Sequence, residues 1–182
     1  MDARLVDLNR ISTLLGGADL QAAGVIEQIR RSSPAAWDRD SSSEKVSVGQ
    51  VLDSLLLRGE PLGRPYQTGL ALRLLTRELG ERLDTLSFDD ARMIGGFAVE
   101  ALEGLPCAEM LYGRAPSPLA NSRIQEIVAG YVTPQEAATL LEHWPEPDYD
   151  DPAPEIYAAR EQIEEWLTCA ADAQKSLVVI WV

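Results

Sequence analysis

From Glu142 to Glu165 the chain carries nine carboxylates against one cation, Arg160, and its single histidine, His143, stands at the head of that stretch beside Trp144. Imidazole titrates near neutral pH, so a general acid or base would be sought there first. Glu142 and Glu146 flank His143 in sequence without sharing a helical face with it, and no serine or cysteine lies in a nucleophile-elbow context. A cation at a helix C-terminus is favoured by the helix dipole, which gives His143 a structural reason to be where it is. No catalytic residue is assigned.

The carboxylates are densest in E-P-D-Y-D-D-P at 146–152. Asp148, Asp150 and Asp151 are oxygen ligands in type, but the turn glycine and the twelfth-position glutamate of a calcium loop are both missing. Pro147 and Pro152 stiffen the segment, which suits presentation to a partner better than wrapping an ion. No metal or cofactor is expected. Glu155, Glu161, Glu164 and Glu165 extend the acidity along the last helix, where Glu161 lies three and four positions from the other two and like charges destabilise slightly. The strip from Glu142 through Glu146, Asp148, Asp150, Asp151, Glu155, Glu161, Glu164 and Glu165 reads either as a solvated acidic surface or as a docking site for a basic protein. Trp37, before the polar run at Ser41-Ser42-Ser43, is the aromatic that a partner would meet.

Composition narrows the classes. A formal net charge of −13 repels phosphate backbones and anionic membranes, so nucleic acid and membrane are not expected partners. The apolar runs fall short of the roughly 20 residues of a membrane span, and M-D-A-R-L-V-D lacks the basic start of a signal peptide, so a cytoplasmic location is expected. Cys107 and Cys169 sit in apolar helical contexts and read as buried free thiols. Gly16-Gly17 and Gly95-Gly96 lack phosphate-loop spacing.

These groups must be positioned by a fold that the local patterns outline. A strand is predicted over 3–8, with Asp7 or Asn9 capping the helix after it. Ser47 and Gln50 make a capping box for a helix with Val48, Val51, Leu52, Leu55 and Leu56 at core spacing, stopped by Gly59. Helices follow over 66–79 and 89–103. A second strand is predicted over 127–132, and Thr133, Pro134 and Glu136 open the next helix. The last helix, over about 155–171, leads into S-L-V-V-I-W-V at 176–182, too apolar for any place but a sheet interior. The reading is one α+β domain over 1–182 with a small mixed sheet holding both termini. About six or seven helices cover it, and 33–115 forms a helical insertion. Leu5, Val51, Leu55, Leu74, Leu140, Ile163, Leu167, Val178 and Ile180 are the predicted core.

The opening L-V-D-L-N-R-I-S-T-L-L-G, the segment G-Y-V-T-P-Q-E-A at 130–137 and the ending W-L-T-C-A-A-D-A-Q-K-S-L-V-V-I-W-V resemble bacterial proteins of the YfbM-like type and related actinobacterial domains of unknown function. L-L-L-R-G-E-P-L at 55–62 and Y-Q-T-G-L-A-L-R-L-L at 66–75 are similar more loosely. The resemblance covers most of the chain and implies a helix-rich α+β domain with paired termini; it implies no functional residue. Two functions stay open. One is a non-enzymatic protein-binding domain, immunity- or antitoxin-like toward a basic partner. The other is a hydrolase or transferase built around His143 and nearby carboxylates.

Overall fold

A computed structural model describes residues 2–17, 19–38, 46–60, 62, 65–83, 105–114, 129–145 and 154–180. Four strands, β1 (Asp2–Val6), β2 (Glu81–Arg82), β3 (Ala129–Val132) and β4 (Ser176–Ile180), form one sheet in the order β2-β1-β4-β3. The helices among the described residues are α1 (Leu8–Leu14), α2 (Leu20–Ser32), α3 (Pro34–Trp37), α4 (Val48–Arg58), α5 (Pro65–Leu79), α6 (Ala108–Gly113), α7 (Pro134–Glu142) and α8 (Pro154–Ala173). The α+β class and the pairing of both terminal strands match the sequence reading. One detail is corrected: among the described residues every pairing is antiparallel, where a mixed sheet was expected. Among the described residues two helices, α7 and α8, lie between β3 and β4, and the antiparallel pairing brings the chain back into the sheet from the end at which it left. Residues 81–82, inside the stretch read as inserted helices, supply an edge strand. The helix predicted over 89–103, residues 127–128 and Trp181-Val182 lie outside the described residues.

Local chemistry explains most boundaries. The Asp7 carboxylate accepts from the N–H groups of Asn9 and Arg10 at 3.0 and 3.3 Å and starts α1. Both predicted capping boxes are present, Ser47 with Gln50 on α4 and Thr133 with Glu136 on α7. Gly59 ends α4 in the left-handed region (φ 69°), which costs an L-residue but not glycine.

Alternation along the strands divides the interior in two. Val6, Val178, Ile180 and Ala129 join α1, α2, α4 and α5 in one core. Ala3, Leu5, Leu177, Val179 and Val132 join α6, α7 and α8 in the other. All nine predicted core residues are buried. β4 is buried on both faces along its whole length, which accounts for its unbroken apolar sequence. β3 and α6 approach closely at their edge: a Cβ at Gly130 would overlap the backbone of Leu111 and the carbonyl of Met110.

Candidate protein-docking face

The face is made by α7 and α8. Ala137 and Leu140 of α7 share a core with Ile163, Trp166, Leu167 and Ala170 of α8. With that stripe of α8 turned inward, Glu161, Glu164, Glu165, Thr168 and Asp172 are left exposed on the other side. The Thr168 hydroxyl donates to the Glu164 carbonyl at 2.9 Å, and the Gln162 amide donates to the Glu165 carboxylate at 3.2 Å. Where the end of α7 meets the start of α8, Leu105, Trp144, Pro145, Tyr157, Arg160, Glu161 and Glu164 line a cleft of about 40 Å³. Metabolite pockets run to several hundred Å³, so this cleft admits the tip of a side chain and little more.

α7 is pinned at its start. Arg114 donates to the Glu136 carboxylate at 2.7 Å and lies over the Tyr131 ring, 4.1 Å from its centroid. Burial works to raise the Glu136 pKa. It is outweighed by the Thr133 N–H and hydroxyl and by Arg114, so the carboxyl sits below its ordinary value. Its stabilising contribution is therefore present above the ordinary glutamate range and is lost as the pH falls through the depressed value.

Of the residues singled out from sequence, Trp144, Glu161 and Glu164 meet at the cleft, and Glu165 continues the strip. Glu142 is exposed at the end of α7. His143 caps α7: its N–H donates to the Leu140 carbonyl at 3.2 Å, and its Nδ1 lies 3.1 Å from the Thr139 carbonyl. It is exposed and is not among the residues lining the cleft. Glu146, Asp148, Asp150 and Asp151 lie outside the described residues, as does the side chain of Glu155. Among the described residues no three His, Cys, Asp or Glu side chains are grouped to hold a metal ion.

Trp37 is a correction. The residue is 7 % exposed, with Arg30 over its ring at 4.7 Å and no room for a Cβ at Gly49 beneath it. An indole seated on a glycine and covered by a guanidinium is a packing group. Asp172 and Tyr157 were missed. Asp172 was in reach of the sequence pattern, since 161, 165, 168 and 172 follow helical spacing.

The strip's field registers on a thiol. Cys169 is partly buried, and its pKa is raised by burial first and then by Glu165 and Asp172. Cys107 is fully buried and pushed up to about 11 by desolvation. With a disulfide-exchange reagent at neutral pH, Cys169 should react more slowly than a free thiol and Cys107 only on unfolding, because the thiolate is the nucleophile. Glu165→Gln with Asp172→Asn should speed the Cys169 reaction and leave Cys107 unchanged; rates read by mass spectrometry check this.

The structure thus defines an antiparallel α+β domain whose longest described helix presents a row of carboxylates beside an aromatic cleft. No helix among the described residues is long and apolar enough to cross a membrane. The chain belongs to the family described as domain of unknown function (DUF7691), whose model matches residues 1–182. No curated protein and no solved structure matches the chain.

Proposed function

We propose that this is a cytoplasmic binding protein that acts without catalysis, and that its α7–α8 face docks a basic protein. The observation that carries the reading is the exposure of Glu161, Glu164, Glu165 and Asp172 in one row beside a cleft walled by Trp144 and Tyr157. Aligned carboxylates speed encounter with a cationic surface, and aromatic walls suit the stem of a lysine or arginine. In sequence, the segment after the cleft residues Trp144 and Pro145 carries four more carboxylates over 146–152. A role against a basic effector, of the immunity or antitoxin kind, is one form such binding takes. A grouping with YfbM-like proteins is part of the same proposal; the family shown for the chain is one of unknown function and adds no activity. His143 is exposed and does not line the cleft, which favours docking over a hydrolase centred on that residue.

Low-salt capture from an extract of the source cells tests it. The expected result is a basic protein retained by the wild type, released as salt rises, and lost from the Glu161→Lys, Glu164→Lys, Glu165→Lys variant. Equal retention of that protein by the variant, or no basic protein retained at all, overturns it.

A further inference from the structure

Leu20 is 91 % exposed at the first position of α2, and Leu57 stands exposed in the last turn of α4. Two glycines bring them together. Gly16 and Gly59, both at positive φ, pack backbone on backbone: a Cβ on Gly16 would lie 3.2 Å from the Gly59 Cα. The Leu55 carbonyl accepts from the N–H of each, at 3.0 and 3.1 Å. Four residues past one glycine and two before the other, Leu20 and Leu57 wall an open hollow of about 660 Å³ with Asp19, Gln21 and Ala23. One exposed leucine is ordinary, but two on the rim of one hollow make an apolar patch. The hollow is broad and shallow, whereas a metabolite site encloses most of its ligand, so this shape suits a side chain projecting from another protein surface. Charge selects among such surfaces. The chain's net −13 repels a second copy over most of its surface. Here the signs are mixed. Asp19 spends Oδ1 on the Ala22 N–H at 2.8 Å, leaving Oδ2 for a cation, and Arg58, next to Leu57, is exposed and bonded to no carboxylate among the described residues. An acid, an unpaired cation, a projecting leucine and a hollow on one patch are self-complementary under a two-fold rotation. A basic partner is drawn to the α7–α8 carboxylates instead.

We propose that this patch is a self-association face on which a second copy of the chain docks about a two-fold axis. Leu20 of each copy seats in the hollow of the other, and Asp19 of each pairs with Arg58 of the other. Repulsion between the two acidic chains is long-range and is screened by salt, while the apolar contact is not, so the dimer tightens as salt rises. Docking of a basic protein weakens under the same change. This face and the α7–α8 face share no residue, so either stands without the other.

Sedimentation of the full chain over a concentration series, at low and at high salt, is the test. The expected result is a monomer–dimer equilibrium that is tighter at high salt. Leu20→Gln keeps the net charge and leaves an exposed position folded, as circular dichroism checks, and should weaken the dimer about tenfold. Asp19→Asn keeps the helix cap while removing the charge. Asp19→Asn and Arg58→Gln should each weaken the dimer, and the double variant should be no weaker than either alone. A monomer at every concentration and salt, or a dimer that Leu20→Gln leaves at wild-type strength, overturns the face. Losses from Asp19→Asn and Arg58→Gln that simply add overturn the two-fold pairing.

Discussion

Gly130→Ala should destabilise the chain by about 3 kcal/mol or more, because the clash it creates is with backbone and no rotamer relieves it. The added Cβ would overlap the carbonyl carbon and oxygen of Leu111 and the oxygen of Met110, so either α6 or β3 must move. β3 in turn holds four register pairs with β4, the strand buried on both sides. In a chain of this length such a loss lowers the melting temperature by roughly 10 °C, readable by calorimetry. Gly24→Ala is the matched control. Gly24 lies exposed inside α2 with nothing within 4 Å of an added Cβ, so the same substitution should stabilise there by about 0.5–1 kcal/mol. Equal effects at the two sites would mean that the close approach of β3 and α6 is misplaced.

Asp2→Ala should cost a similar amount, about 3 kcal/mol, since removing one partner of a buried ion pair leaves the other charge uncompensated. The side chains of Asp2 and Arg4 are each only 10 % exposed, and Asp2 also ties β1 to α5 through Arg73. The comparison that isolates the mechanism is Asp2→Ala with Arg4→Met. With both charges gone the double variant should recover most of the loss, because a buried pair replaced by apolar groups is often near neutral. Chemical denaturation of the single and double variants checks this. Additive losses would show that Asp2 acts through backbone packing and not through the charge of Arg4.

The elements that were legible from sequence are those closed by neighbours. Asp7, Ser47 with Gln50, and Thr133 with Glu136 satisfy helix ends within a few residues of themselves, so type and spacing suffice to place them. β4 was legible because it is apolar throughout. What was missed is closed by partners distant in sequence. β2 is two exposed charged residues without strand character, and it is a strand only because Gly80, packed against Val6 and the Leu5 carbonyl, turns α5 onto β1. Trp37 looked presentable because Gly49, which makes room for its ring, belongs to another helix. The inward face of β1 was hidden for the opposite reason: Asp2 and Arg4 look like surface residues, although alternation with Val6 places them on one face with a core residue. The docking face was half legible. Helical spacing placed Glu161, Glu164 and Glu165 together, but only packing of α7 on α8 sets Trp144 and Tyr157 beside them.

The claim that the α7–α8 face docks a basic partner is tested most directly by the association rate of a labelled oligo-arginine peptide, measured by stopped flow across a salt series. Three variants are compared: wild type, Glu161→Lys with Glu164→Lys and Glu165→Lys, and a control of equal net charge with Asp38→Lys, Glu60→Lys and Glu109→Lys, all three exposed on other parts of the chain. The predicted result is a wild-type rate that falls as salt rises, about tenfold slower for the α8 variant, and much closer to wild type for the control. If the two triple variants slow the peptide equally, the attraction belongs to net charge alone and the face is not a docking site.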